Sequence, residues 1–410
     1  MRGMRPVLLS RFGHRVVRPR ALRAQTPGSR ICFRIVLRSR GGYWPGYGII
    51  GPVVFTRSEL RSIGLTVVVM VAAAVTYYGK VGGSIAPFVI SGVALALLAS
   101  LVGRSVEALG DRLGAGATGV VQSALGNLPE LFVVLFALKS KLYEVATATI
   151  VGSVLANVLL VLGLAFVVGG ARNGVQCFEP RGARRVSLML LLSVAALVIP
   201  ALTALLHSPA SGHERALSIA VSILLLILFI ASLPDSIRKT EADGDTGTSH
   251  DEGSEEGPGW PLWLALTMLA VAGVAAAFVS DWFVAGLTPA ISALHISPAF
   301  AGLVIVAIAG NAVENVVGVQ LAYRNQPDHA LQVILQSPVQ IVMMVAPALV
   351  LLSPVVGASF TLVLPPLLLV ALLVAVVVAV VAVQDGDSTW LEGGAMITLY
   401  AMVATAFWWG

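Results

Sequence analysis

Long apolar stretches, each about the length of a membrane-spanning helix, follow one another along most of this 410-residue chain. A helix that crosses a bilayer needs about 20 predominantly apolar residues. Hydrophobic residues make up 57% of the chain and charged residues only 11%, whereas soluble domains carry about 25% charged residues. The apolar runs are continuous and do not alternate with polar residues, which argues against a β-barrel. The sequence therefore predicts an all-α polytopic membrane protein.

About eleven stretches qualify as transmembrane helices. They are residues 62–78, 84–103, 117–138, 143–169, 185–206, 216–233, 260–283, 298–323, 328–353, 359–383 and 390–409. After the first, ten remain, and they divide into two groups of five around a polar segment. A five-helix unit that is repeated within one chain takes opposite orientations in the membrane, as in many secondary transporters. We therefore expect one N-terminal helix plus two inverted five-helix repeats.

The predicted organisation has five parts. They are a basic N-terminal arm at 1–60, expected to be disordered, a first transmembrane helix at 61–80, a first repeat at 81–234, an acidic cytoplasmic loop at 235–259 and a second repeat at 260–410. The chain up to Arg61 holds 13 of the 26 basic residues and a single acid, Glu59. The remainder has 13 basic and 20 acidic residues, a net charge of −7. The basic excess therefore belongs to the arm and indicates no nucleic-acid-binding face.

The basic residues between the predicted spans indicate the orientation, because cytoplasmic loops are enriched in Lys and Arg. With the N-terminus inside, nine basic residues of these loops fall inside and four outside. The inside set is Arg104, Arg112, Arg172, Arg181, Arg184, Arg185, Arg238, Lys239 and Arg324, and the outside set is Lys80, Lys139, Lys141 and Arg215. We therefore expect the N-terminus and the acidic loop to be cytoplasmic.

Two polar strings interrupt the apolar stretches, GNLPE and GNAVE, and they lie 184 residues apart. At this spacing the matching residues are Gly126 and Gly310, Asn127 and Asn311, Glu130 and Glu314, and Ser153 and Ser337. A carboxylate inside the bilayer costs about 2.5–3.5 kcal/mol on insertion scales, so an intramembrane acid is a functional-site hypothesis by default. Two acids at equivalent positions indicate one shared site at a repeat interface.

Each half offers a carboxylate, a side-chain amide and a hydroxyl from a pair of helices. The predicted metal ligands are Glu130, Glu314, Asn127, Asn311, Ser153 and Ser337, with Asn157, Gln340, Asn315, Gly126 and Gly310 in supporting roles. Such oxygen ligands suit hard cations, and Ca²⁺ takes 6–8 of them. Pro129 removes a helix hydrogen bond and is expected to free a backbone carbonyl nearby. The two glycines are expected to allow close packing or local unwinding.

The charges of these ligands suggest how the site could exchange one cation for another. Two ionised glutamates carry a charge of −2, which one Ca²⁺ or two protons cancel. Removal from water disfavours the charged form of a carboxylate, so a site that holds neither cargo is costly. Glu130 and Glu314 are therefore expected to bind the cation and also to carry protons. The same count allows two Na⁺.

These residues resemble the calcium/cation antiporter superfamily, specifically its calcium/proton exchanger branch. GNLPELFVVLFALKS with GSVLANVLLVLG is similar to the first signature repeat of that branch, and FAGLVIVAIAGNAVEN with SPVQI is similar to the second. DGDSTWLEG resembles a C-terminal string of the family. The resemblance implies eleven helices, a central Ca²⁺ site at Glu130 and Glu314, and alternating access. The chain departs from the family pattern at Asn315, usually His, at Gln336, usually Gly, and at Thr147, commonly Gln.

The sequence thus predicts a secondary active antiporter that exports Ca²⁺, or a similar divalent cation, in exchange for H⁺. A sodium-coupled cation exchanger of the same superfamily is one alternative, which Asn315 favours because Asn does not titrate. A transport-inactive membrane scaffold that acts through the arm and the acidic loop is another. Nucleophile triads, Walker motifs and nucleotide-binding glycine patterns are not found, so we expect a transporter driven by an ion gradient and not an enzyme.

The expected partners are inorganic cations, as substrates, and membrane lipid, with no nucleic acid and no cofactor. No sequence signal indicates an oligomeric state. Arg outnumbers Lys by 22 to 4, which fits a GC-rich genome. We therefore expect a multi-pass protein of a bacterial plasma membrane.

Overall fold

Helices account for nearly all of the described structure, because an apolar segment in a bilayer must satisfy its backbone hydrogen bonds internally. The computed structural model describes residues 55–83, 85–113, 125–207, 211–245 and 260–409. These residues lie in one compact unit, Gly46–Gly410. Most of the predicted basic arm, and residues 246–259 of the predicted acidic loop, lie outside the described residues.

The elements are numbered here in chain order. The helices are α1 (Arg57–Gly79), α2 (Ala86–Leu113), α3 (Leu128–Lys139), α4 (Tyr143–Leu155), α5 (Leu162–Asn173), α6 (Pro180–Leu205), α7 (Glu214–Asp245), α8 (Leu262–Leu294), α9 (Pro298–Phe300), α10 (Ala307–Gly310), α11 (Ala312–Tyr323), α12 (Pro327–Gln340), α13 (Ala346–Leu352), α14 (Pro366–Ala382) and α15 (Trp390–Ala406). Three π-helical turns lie at Ala156–Val161, Ala301–Val306 and Ile341–Val345, and two 3₁₀ turns at Ser211–His213 and Ser353–Val356. Two short strands, β1 (Gln176–Cys177) and β2 (Asp387–Ser388), pair antiparallel.

Seven continuous helices within the described residues are long and apolar enough to cross a membrane. They are Arg57–Gly79, Ala86–Leu109, Tyr143–Asn173, Pro180–Leu205, Glu214–Ser232, Leu262–Leu294 and Pro327–Val356. The pair Pro298–Gly310 and Glu314–Tyr323, bent by 64°, brings the number to eight if it is one span. The prediction of a mostly helical membrane protein is therefore confirmed. Helix α7 continues to Asp245, beyond the predicted start of the acidic loop at residue 235.

Both polar strings lie at breaks in helices. Asn127 and Asn311 each precede a new helix, with φ/ψ of −95°/20° and −95°/22°. The predicted spans 117–138 and 298–323 are therefore not continuous helices at these points. Pro129 lies in the first turn of α3, where its missing N–H removes no helix hydrogen bond. Pro129 therefore does not free a carbonyl in the way that was expected from a continuous helix.

The two strings and the helices after them have the same local geometry. Helices α3 and α11 contain 12 residues each, and their bounds differ by the 184-residue spacing of the strings. At the same spacing after them, Lys141 and Asn325 both take left-handed backbone conformations, with φ of 60° and 61°. The π-helical turns Ala156–Val161 and Ile341–Val345 also correspond at this spacing to within one residue. The internal match seen in the sequence is thus also a match of backbone conformation.

The connection between α5 and α6 ties helix ends from both halves together. Its strand β1 pairs with β2, and Phe178 N–H donates to the Gly386 carbonyl at 2.9 Å. The buried Gln176 donates through Nε2 to the Ala322 carbonyl at 2.9 Å and to Asn325 Oδ1 at 3.0 Å. This connection therefore holds the end of α11 and the turn before α15.

Helices α5 and α15 approach each other until their backbones touch. A methyl group at Gly163 would lie 2.8 Å from the Gly393 carbonyl oxygen, and one at Gly393 would lie 2.8 Å from Phe166 Cβ. The next residue, Gly394, has no atom within 4 Å of the position that its methyl group would take. Only one of these two adjacent glycines is therefore required by packing.

We expect Gly393→Ala and Gly394→Ala to change stability in opposite directions. Gly393→Ala overpacks the crossing and lowers the free energy of unfolding by about 1–3 kcal/mol. Gly394→Ala raises it by about 0.5–1 kcal/mol, because glycine is a poor helix former. Thermal unfolding midpoints of the two purified variants in one detergent measure the difference. Equal midpoints would contradict the close crossing.

Candidate ion-binding site

The side chain of Asn311 joins three elements at the centre of the molecule. Its Oδ1 accepts from Asn157 Nδ2 at 3.1 Å and from Ser337 Oγ at 3.3 Å. Its Nδ2 donates to Ser153 Oγ at 2.9 Å and to the Ala307 carbonyl at 2.9 Å. All four of these side chains are buried. The predicted ligands Asn311, Ser153 and Ser337 are therefore brought together, and they come from both halves of the chain.

Asn127 makes a second amide bond between the halves, and its donor again belongs to the first half. Its Nδ2 donates to Gln340 Oε1 at 2.9 Å. Asn157 lies in the π-helical turn that follows α4, and Gln340 is the last residue of α12. Each of these amides pairs with the string asparagine of the other half. At the 184-residue spacing Gln340 corresponds to Ala156, one residue before Asn157, so the two cross-pairs are alike but not identical.

Glu130 lies against the second string. A methyl group at Gly310 would lie 3.2 Å from Glu130 Cγ and 3.4 Å from its Oε1. The side chain is only 4% exposed, and within the described residues its Oε1 has no hydrogen-bond partner. A glycine at 310 is thus required for the carboxylate to reach this position.

Glu314 and Asn315, in the first turn of α11, are each half-buried. Asn315 Nδ2 lies 3.5 Å from the Ile308 carbonyl, at the long limit of a hydrogen bond. Its Oδ1 is buried and has no partner in the described part of the chain. Asn157 Oδ1 is in the same situation. Three buried acceptor oxygens, on Glu130, Asn157 and Asn315, thus lack the donors that buried acceptors normally have.

The arrangement is suited to a hard cation. No group of three or more His, Cys, Asp or Glu side chains forms a metal cluster in the described ranges. Any cation would therefore depend on amide and hydroxyl oxygens as well as on the two carboxylates, which is the ligand type that Ca²⁺ and Na⁺ share.

Sequence reasoning missed two features of this site. One is the pair of π-helical turns that begin at Ala156 and Ile341, next to the amides. Single-turn π segments occur often at functional sites, but no residue type marks them in a sequence. The other is the position of the break before each string asparagine: local unwinding was expected at Gly126 and Gly310, but both strings were placed within continuous spans.

Comparison with known proteins identifies the family. The family described as sodium/calcium exchanger protein matches residues 83–234 and 264–409, more than half of the chain. The chain belongs to this family. The exchanger is 32% identical over 343 residues to a Ca²⁺/H⁺ antiporter of Synechocystis sp., with 79% of this chain and 91% of the relative covered. It is 34% identical over 321 residues to the Ca²⁺/H⁺ antiporter ChaA of Bacillus subtilis, with 78% and 91% covered.

Solved structures agree with this assignment. The structure of native YfkE matches the exchanger with a TM-score of 0.71 and 30% identity, over 85% of this chain and 99% of that chain. The crystal structure of the H⁺/Ca²⁺ exchanger CAX matches with a TM-score of 0.68 over 86% and 92%, and its 14% identity shows a shared fold alone. The predicted membership of the calcium/cation antiporter superfamily, in its calcium/proton exchanger branch, is confirmed.

We expect Asn311→Ala to destabilise the exchanger more than Asn127→Ala. Within the described residues the Asn311 side chain takes part in four hydrogen bonds and the Asn127 side chain in one. Each neutral bond contributes about 0.5–1.5 kcal/mol, so the difference should exceed 1 kcal/mol in the free energy of unfolding. Thermal unfolding of the two purified variants tests this order. A larger loss for Asn127→Ala would contradict the central position of Asn311.

Proposed function

We propose that the exchanger is a secondary active antiporter that exports Ca²⁺, or a similar divalent cation, in exchange for H⁺ by alternating access. The observation that carries this proposal is the buried Glu130 Oε1, which has no hydrogen-bond donor among the described residues and lies against Gly310 of the other half. The names of the relatives from Synechocystis sp. and Bacillus subtilis, both Ca²⁺/H⁺ antiporters, support it.

In this mechanism Glu130 and Glu314 are ligands in one step and proton carriers in the next. Two ionised carboxylates that repel each other are stabilised together by one Ca²⁺ or separately by one proton each. Asn127, Asn311, Ser153 and Ser337 supply further oxygens and hold the two halves in register. Asn157, Gln340 and Asn315 support them, and Gly126 and Gly310 allow the helix breaks. Because the ionised site without a bound cation or protons is costly, it changes sides only when it carries Ca²⁺ or protons, which couples the two fluxes.

We also propose the topology of eleven spans, with a basic arm at 1–60, a first helix at 61–80, inverted repeats at 81–234 and 260–410, and a cytoplasmic loop at 235–259. Contacts between helix ends support it, since each joins segments that this topology places on one side. Inside are Gln176 with Ser388, Glu179 with Asp328, and Phe55 with Trp260; outside are Lys139 with Asp281, Tyr77 with Trp282, Ser297 with Trp408, and Ser218 with Leu362. If the number of spans between the two residues of a contact were wrong by one or three, the two residues would lie on opposite sides of the membrane. The contacts and the distribution of basic residues together support a cytoplasmic N-terminus. The membrane is proposed to be a bacterial plasma membrane.

We expect Glu130→Gln and Glu314→Gln each to abolish Ca²⁺ exchange while the protein stays folded. Glutamine keeps the size and one oxygen but loses the charge and the proton. Uptake of ⁴⁵Ca²⁺ into proteoliposomes, with a size-exclusion profile as the folding check, measures this. Glu144→Gln is the matched control, because Glu144 is an exposed acid in the first turn of α4, and it should transport like the parent. Near-normal transport by Glu130→Gln or by Glu314→Gln would contradict the proposal of a shared site.

The topology predicts that a cysteine placed at Ser249 reacts only from the cytoplasmic side. Sealed cells and inverted vesicles, treated with a membrane-impermeant thiol reagent, make the comparison. The parent protein, with Cys32 and Cys177, gives the background. Labelling of this cysteine in sealed cells would contradict both the proposed orientation and the proposed number of eleven spans.

The coupling ion is tested by imposing ΔpH and ΔNa⁺ separately on proteoliposomes. We expect ΔpH to drive Ca²⁺ movement, with a pH profile that reflects the coupled glutamate pair. Asn315→His should add one titration to this profile without being required for activity, since histidine titrates near neutral pH. If the parent ignores ΔpH but follows ΔNa⁺, and Asn315→His restores the ΔpH response, the exchanger is sodium-coupled. The non-titrating Asn315 makes this the second candidate function.

A further inference from the structure

Helix α12 carries a line of polar side chains at positions whose counterparts on α4 are buried and apolar or glycine. His329, Gln332 and Gln336 are spaced by three and four residues, so they share one face of α12. His329 and Gln332 are exposed, and Gln336 is half-buried one residue before Ser337. At the 184-residue spacing their counterparts on α4 are Val145, Ala148 and Gly152, which are all buried.

The α4 face is sealed by backbone contact with the π-helical turn Ala301–Val306. A methyl group at Gly152 would overlap the Leu303 carbonyl oxygen and would lie 2.5 Å from Leu303 Cα. One at Gly302 would lie 2.6 Å from the Val145 carbonyl oxygen and 3.0 Å from Ala148 Cβ. This crossing leaves no room for side chains. Position 336, the counterpart of Gly152, instead carries the amide side chain of Gln336.

The neighbouring helices show the same asymmetry. Glu130 is 4% exposed, whereas its counterpart Glu314 is half-buried. Val133 of α3 is 2% exposed, and its counterpart Val317 of α11 is 37% exposed. The site is therefore closed on the side of the glycine crossing and more accessible on the side at which α12 begins.

We propose that His329, Gln332 and Gln336 line a water-filled access path from the membrane face at which α12 begins to the cation site. This inference rests on the proposed cation site and on the correspondence of the two halves. Polar side chains within a membrane-spanning segment face the bundle interior or a water-filled cavity, because contact with lipid leaves them without hydrogen-bond partners. Gln336 is about 13 Å along α12 from its first residue, Pro327, at 1.5 Å per residue. The line thus leads from the helix end to Ser337 and Gln340 of the site.

The chemistry of the line suits the passage of a metal cation. Two neutral amides offer carbonyl oxygens to a partly dehydrated divalent cation. They carry no charge that would hold the ion as tightly as a carboxylate, so the ion reaches the glutamates without a competing site. The proposed topology places this entrance on the cytoplasmic side, where exported Ca²⁺ is collected.

Cysteine substitution at counterpart positions tests the path directly. Gln332→Cys should react rapidly with a membrane-impermeant, positively charged thiol reagent from the cytoplasmic side only, and Ca²⁺ at saturating concentration should slow the reaction. Ala148→Cys is the matched control at the sealed counterpart and should stay unreactive from both sides. The parent protein gives the background of Cys32 and Cys177. If Gln332→Cys reacts only with a lipid-soluble maleimide, the line faces lipid and the proposal is wrong.

Transport provides the second readout. Gln336→Leu keeps the side-chain volume but removes the amide, so the KM for Ca²⁺ at the cytoplasmic face should rise several-fold while the maximal rate is little changed. A loss of maximal rate alone, at constant KM, would contradict a role in access. The labelling result does not depend on transport. An unreactive Gln332→Cys together with inactive Glu130→Gln would reject the path and leave the proposed function standing.

Discussion

Two carboxylates inside an apolar molecule are the constraint on which the rest of this structure depends. Glu130 is buried against Gly310, and Glu314 is half-buried in the first turn of α11. The surrounding amides and hydroxyls do not neutralise these charges, but they hold the two halves around them through the cross-pairs of Asn157 with Asn311 and of Asn127 with Gln340. The helix breaks, the π-helical turns and the glycine contacts all lie next to this polar centre. They are the local distortions that allow polar groups from four helical segments to meet inside a membrane protein.

The two halves share a backbone pattern but differ in how they are closed. Glycines 152 and 302 permit backbone contact on one side of the site, and polar side chains occupy the counterpart positions on α12 on the other. A molecule built from two identical halves would have equal access from both sides. In the proposed access path the difference lies in a few residues, so a preference for one open side would be a property of side-chain volume and polarity and not of the fold.

The sequence predicted the class of protein and most of the polar centre, because charged and amide residues are rare in apolar stretches and therefore stand out. Asn127, Asn311, Ser153, Asn157 and Gln340 take part in the hydrogen bonds that link the halves. Ser337 bonds Asn311 within the second half, and Glu130 lies against Gly310. The pairing of Asn127 with Gln340 and of Asn157 with Asn311 was not predictable, since Gln340 corresponds to Ala156 and not to Asn157 at the 184-residue spacing. Local unwinding was expected at Gly126, but the position of the break at Asn127 was not predicted because the apolar stretch continues across it. The role assigned to Pro129 was wrong for the same reason, since it assumed a continuous helix.

The cross-pairs have a consequence for how such a chain changes over time. Each amide bond spans the boundary between the halves, so a substitution in one half is felt by its partner in the other. Apolar positions that face lipid are free of this dependence and drift independently after an ancestral duplication. Divergence is then fastest where the halves do not touch and slowest where they do. The polar strings remain recognisable as copies, because a change in either asparagine would leave an amide of the other half without its partner. The helices around them have lost most of their similarity.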